Sequence, residues 1–112
     1  MKKNEKAFAV GSGNIFEDLG FSEEESAALT LKSSLFNTLQ MALRELTGTQ
    51  AEVAAKLGIP QPKVSDILNG KQSGFSVERL ASYLLKLNYD ICVDAHPAPN
   101  GAHGRVINSR AS

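Results

Sequence analysis

The sequence predicts an all-α protein: a bundle of about five helices followed by a short C-terminal β-strand. Three observations carry this. Apolar residues recur at spacings of three and four through residues 23 to 87. Start and stop residues punctuate the chain at short intervals, with Asn14, Ser22, Thr49 and Ser76 as candidate starts and Gly20, Gly48, Gly58 and Gly70 as stops. Only beyond Asn88 does the apolar period change to two.

With 112 residues, of which 42% are hydrophobic, the chain is expected to form one domain around a modest core. No apolar run approaches the ~20 residues of a membrane span, so no membrane partner is expected. The N-terminal MKKNEKAF is basic but lacks an apolar stretch of signal-peptide length. The single cysteine, Cys92, excludes an internal disulfide and reads as a small apolar filler. A cytoplasmic protein is the expectation. Formal net charge is zero, but it is unevenly spread. Lys2, Lys3 and Lys6 are outnumbered by Glu5, Glu17, Asp18, Glu23, Glu24 and Glu25, whereas Lys32, Arg44, Lys56, Lys63 and Lys71 outnumber Glu45, Glu52 and Asp66. That asymmetry permits nucleic-acid binding in the second stretch without arguing for it.

In chain order, residues 1 to 13 end in Gly11, Ser12 and Gly13 and read as a flexible arm. Asn14 with Glu17 suggests a capping box for a single helical turn stopped by Gly20. Ser22 with Glu25 gives a stronger box, and Glu23 to Glu25 place negative charge at the positive end of the helix dipole. Ala28, Leu31, Leu35, Leu39, Ala42 and Leu46 then predict the buried stripe of a long helix over about 23 to 46. Thr49 caps a second short helix over about 50 to 57, where Ala51, Ala54 and Ala55 suit the close approach of a neighbour. A third, over about 61 to 68, buries Val64, Ile67 and Leu68. Ser76 caps a fourth, running to about Leu87, with Phe75 and Leu80 placed as a hydrophobic staple. Tyr89, Ile91 and Val93 then alternate with Asp90, Cys92 and Asp94 as in a strand. No second strand is on offer, so pairing with its own copy across a two-fold axis would make residues 89 to 94 a dimerisation device. The organisation expected is thus an arm (1 to 13), a domain (14 to 94) and a mobile polar tail (95 to 112).

The stretch TQAEVAAKLGIPQPKVSDILNGK, residues 49 to 71, joins two short helices through Gly58 and the apolar plug Ile59. Short helix, glycine turn and short helix is the grammar of the helix-turn-helix, whose second helix enters the DNA major groove. This stretch resembles the helix-turn-helix of lambdoid phage repressors and the wider XRE family of bacterial regulators. The flanks NIFEDLGF and SGFSVERLASYLLKLNYDICV make it look similar to the XRE-family antitoxins of the HigA type. The resemblance spans about residues 14 to 94 and is most specific over 49 to 75. It implies a lambda-repressor-like bundle and a non-enzymatic repressor, found in the bacterial cytoplasm and on the nucleoid when bound. The implied partners are an inverted-repeat operator in double-stranded DNA, a second copy of the chain and a toxin protein whose operon it represses. A free-standing or prophage-type repressor without a toxin is the alternative, and a protein-interaction adaptor that no longer binds DNA is a third reading.

On the third helix the outward set is Pro62, Lys63, Ser65, Asp66 and Asn69, with Gln61 at the leading tip. Gln61 matches the position at which the phage repressors read a base, and a glutamine amide suits the N6/N7 edge of adenine. Lys63 is placed for guanine or for a phosphate. Asp66 is placed for cytosine N4, or, more simply, for a local pair with Lys63. Pro62 falls in the first turn, where its missing N–H has no intrahelical partner to lose. Pro60 departs from the family pattern of a serine or threonine cap and frees an N–H for water or phosphate; the alternative is that the two prolines only shape the turn. Gln50, Asn69 and Lys71 match positions that clamp the DNA backbone. Other chemistry is weakly signalled. His96 and His103 lie in the tail without a cysteine cluster, so no metal is expected, and no cofactor is implied. There is no Gly-x-Ser-x-Gly nucleophile motif and no phosphate-cradling glycine loop.

Overall fold

A computed structural model describes residues 14–107. The expected arm over residues 1 to 13 lies outside the described residues. Five α-helices occur among those described: α1 (Asn14–Asp18), α2 (Glu23–Glu45), α3 (Gln50–Leu57), α4 (Gln61–Leu68) and α5 (Val77–Lys86). A single 3-10 turn follows at Pro99–Gly101.

The helices begin and end where local hydrogen bonding dictates. Asn14 is itself the first helical residue of α1 rather than its cap. The turn after α1 closes through Gly20, whose φ of 101° requires glycine, and Phe21 N–H donates back to the Phe16 carbonyl at 3.1 Å. Ahead of α2, Ser22 N–H donates to the Glu25 carboxylate at 2.9 Å and Glu25 N–H to Ser22 Oγ at 3.1 Å, the reciprocal box expected. A second box, Thr49 with Glu52, opens α3. Arg79 N–H donates to Ser76 Oγ at 3.1 Å ahead of α5. α4 differs from these three in having a proline, Pro60, at its cap position and no side-chain capping bond.

The described residues divide into two units, one made of residues 14 to 34 with 94 to 107 and the other of Leu35–Val93. In the described part of the first, Phe16 and Phe21 meet edge to face with centroids 6.3 Å apart. The Thr30 hydroxyl donates to the Ser26 carbonyl at 2.8 Å, which lets Thr30 lie buried on α2. The second unit holds the apolar core: Phe36, Leu39 and Leu43 from α2, Val53, Ala54 and Leu57 from α3, Val64 and Ile67 from α4, Phe75 from the loop, and Leu80, Tyr83 and Leu84 from α5. Phe75 and Leu80 are both deep in it, as a staple requires.

Two expectations need correction. The buried stripe of α2 is the predicted one only in part: Leu39 and Ala42 are buried and Leu35 and Leu46 pack against the core, but Ala28 and Leu31 are exposed, whereas Ser26, Thr30, Phe36 and Leu43 are buried instead. In the first turns the stripe runs through two small hydroxylic residues, Ser26 and Thr30, which a count of apolar residues passes over, and further on it includes Phe36 and Leu43, one position on from Leu35 and Ala42. The β-strand expected over residues 89 to 94 is also absent, since no strand forms among the described residues. Asn88, at φ 67°, and Tyr89, whose N–H donates to the Leu84 carbonyl at 3.0 Å, close α5. The chain then continues without a ladder. Strand hydrogen bonds need a neighbouring strand, and the described chain offers none. Ile91 instead packs against the core, leaving Tyr89 37% and Val93 88% exposed.

Candidate nucleic-acid interface

The α3–turn–α4 unit is built around Gly58. Its φ of 73° ends α3 in the left-handed region, and its N–H donates to the Ala54 carbonyl at 2.8 Å, with Ile59 N–H on the same oxygen at 3.1 Å. The chain reverses over Ile59 and Pro60, and Ile59 packs on the core. α3 buries Val53, Ala54 and Leu57, and α4 buries Val64 and Ile67. Of the three alanines expected at a close approach, Ala54 alone is buried, while Ala51 and Ala55 face solvent.

Two long polar side chains tie this unit to the helices around it. Lys86 of α5 donates from Nζ to the Leu57 carbonyl at 2.9 Å, meeting an oxygen left without a partner at the end of α3. Gln40 of α2 donates from Nε2 to the Ile67 carbonyl at 3.0 Å and the Leu68 carbonyl at 3.3 Å, at the end of α4. Neither residue was singled out from the sequence. Nothing local marks a polar side chain that bonds to backbone nearly thirty residues away.

The outward residues fall into two groups. Gln50 and Gln61 are exposed first residues of α3 and α4, and Pro62, Asn69 and Lys71 are exposed as well. Lys63, Ser65 and Asp66 are half-buried. Lys63 does not extend away from the fold: its Nζ lies 3.4 Å from the Gly74 carbonyl and 5.0 Å from the centroid of the Phe75 ring. It makes no pair with Asp66, contrary to the local pairing considered for that residue. Asn69 Nδ2 donates to Ser65 Oγ at 3.3 Å, so these two side chains are occupied with one another. At the α4 N-terminus Pro60 and Pro62 carry no N–H, and Lys63 N–H donates to the Pro60 carbonyl at 2.9 Å.

A family model for the helix-turn-helix domain matches residues 15–96. A solved structure named as an XRE-family transcriptional regulator is similar at 34% identity and a TM-score of 0.67, over 79% of this chain and 99% of that one. The chain belongs to the helix-turn-helix family, in its XRE branch. No curated protein matches it.

In the helix-turn-helix motif the first helix supports and the second is the recognition helix, places that α3 and α4 occupy here. Gln61 stands at the leading end of α4, exposed to solvent. Lys71 lies beyond the other end, and its backbone N–H closes the turn on the Asp66 carbonyl at 2.9 Å. An open groove of about 320 Å³ lies between the end of α3 and α5, lined by Leu57, Gly58, Ile59, Arg79, Tyr83 and Lys86 among others. Among the described residues, no group of three His, Cys, Asp or Glu side chains could hold a metal ion. No described helix is long and apolar enough to cross a membrane.

Proposed function

We propose that this protein is a sequence-specific DNA-binding transcriptional regulator, a repressor that occupies an operator in double-stranded DNA and performs no catalysis. The observation that carries the reading is the division of α4: Val64 and Ile67 are locked in the core while Gln61, Pro62 and Asn69 are exposed. A helix held on one side and polar on the other is suited to the major groove. Selection from a random duplex library, followed by binding measurements on the selected sequence, tests it. Gln61→Ala is expected to weaken binding to that sequence by roughly 1–3 kcal/mol and to relax preference at one base pair per half-site. Equal losses on selected and scrambled DNA would remove Gln61 as a base reader.

The finer reading is an antitoxin, acting as a homodimer that also holds a toxin and represses its own operon. Its support is the likeness of residues 14 to 94 to HigA-type antitoxins, together with the exposed Tyr89 and Val93 available to a second copy. Co-expression with the product of the adjacent gene tests it, since an antitoxin relieves growth arrest caused by that product and a free-standing repressor does not. The adaptor reading draws on the zero net charge and on the engagement of Lys63 within the fold. It predicts that library selection returns no consensus.

A further inference from the structure

α4 has only eight residues, and its N-terminus carries no side-chain cap. Its orientation therefore depends on packing and on what grips its other end. At that end the carbonyls of Ile67 and Leu68 lack intrahelical partners by their position. Gly70 N–H meets the Ile67 oxygen at 3.1 Å, and the Gln40 amide reaches both oxygens. Gln40 is fixed in turn, because Phe36, Leu39 and Leu43 around it on α2 are buried in the core. The amide also lies close beneath the Asn69–Gly70 turn, where a Cβ on Gly70 would stand 3.9 Å from Nε2. Gln61 is at the opposite end of the helix, roughly 10 Å away at ~1.5 Å per residue. A tilt of about 10° at the gripped end would move that tip by nearly 2 Å, enough to spoil a bidentate contact with a base edge.

We propose that Gln40, on α2 and away from the outward face, is a positioning residue for sequence discrimination. Its hydrogen bonds to the C-terminal carbonyls set the angle at which the recognition helix presents Gln61. This rests on the DNA-binding reading above. Losing the tie lowers the preference for the selected sequence while leaving the electrostatic attraction to DNA in general intact.

The test uses the full chain, the duplex selected by the native protein and a scrambled duplex of equal length, all compared over the same series of salt concentrations. Q40M keeps side-chain length and loses the donor, Q40E replaces the donor with a carboxylate facing two carbonyls, and Q40K restores a donor. Q40M and Q40E are expected to lower the ratio of selected to scrambled affinity by roughly tenfold, comparable with one mismatched base pair. For the uncharged Q40M, scrambled-duplex affinity and the salt slope should stay at native values, because no charge and no phosphate contact is lost. Q40K should recover part of the ratio. A thermal melt of each free variant separates the effect from unfolding: a folded Q40M or Q40E with the native ratio overturns the proposal, as does equal loss on both duplexes. If neither folds, the ratio for Q40K decides, and a value at the Gln61→Ala level overturns it. Failure of the native chain to select any sequence would remove the DNA-binding reading, and the proposal with it.

Discussion

Lys63 and Lys71 carry the same charge at the two ends of the recognition helix, yet they face different surroundings. The Lys63 ammonium is held between the Gly74 carbonyl and the Phe75 ring, whereas Lys71 is exposed. Lys63→Ala is therefore expected to lower folding stability by about 1 kcal/mol, the scale of an exposed cation–π contact with a weak hydrogen bond, and to leave the salt dependence of DNA binding unchanged. Lys71→Ala should do the reverse: stability stays within about 0.5 kcal/mol and the slope of log affinity against log salt becomes shallower by about one. Thermal melts and salt titrations of the two variants separate these outcomes; a shallower slope for Lys63→Ala would return it to the phosphate-binding set. The outward placement of Gln61 was legible in the sequence from helix phase, and Gln50 and Lys71 were legible from the resemblance to the family. The posture of Lys63 was not, because it depends on where the loop carrying Gly74 is pinned by burial of Phe75.

At the scale of the element, capping chemistry made the helix boundaries readable. Ser22, Thr49 and Ser76 act as starts, and Gly20 and Gly58 as stops, at the expected places. The role of Glu52 in closing the box at Thr49 was equally available from the Thr-x-x-Glu spacing and was overlooked. It makes Gly48 the most demanding of the described glycines: φ is 114°, and a Cβ there would lie 2.6 Å from Glu52 Oε1. Gly48→Ala must then both adopt a left-handed backbone and displace the capping carboxylate, so a loss of about 1.5–3 kcal/mol is expected. In a Glu52→Ala background the second contribution is already gone, and the added loss should fall to about 1 kcal/mol. A double-mutant cycle by denaturant unfolding measures this, and strict additivity would show that the carboxylate does not crowd Gly48. Helix phase was less legible than helix extent. On α2 the buried face runs through Ser26 and Thr30, and Thr30 is accommodated by a bond to backbone that no hydropathy pattern reports.

For the whole molecule, the alternation at residues 89 to 94 was read correctly as a pattern and incorrectly as a strand, because a ladder is a property of two segments. Ile91 is committed to the core of its own chain, whereas Val93 is 88% exposed and open to a second copy. Under the proposed dimer, Val93→Asp should leave the melting temperature of the single fold unchanged and weaken self-association, as sedimentation at micromolar concentration would detect. An undisturbed dimer would move the interface elsewhere. The same symmetry constrains the DNA. Two chains related by a two-fold axis present two α4 helices to two half-sites, whose centres should lie roughly one helical turn apart, about 34–36 Å, or a multiple of it. The protected sequence should be pseudo-palindromic, and in the antitoxin reading it should lie upstream of the protein's own gene. Inserting about 5 bp between half-sites turns one to the opposite face of the duplex and should remove most of the specific affinity, while an insertion of about 10 bp restores part of it if the DNA bends. Footprinting and titration on the three duplexes make the comparison. Specific binding unaffected by the 5 bp insertion, or protection of a single unpaired site, would mean that each chain reads DNA alone, and the symmetric dimer would have to be abandoned even with Gln61 still reading its base.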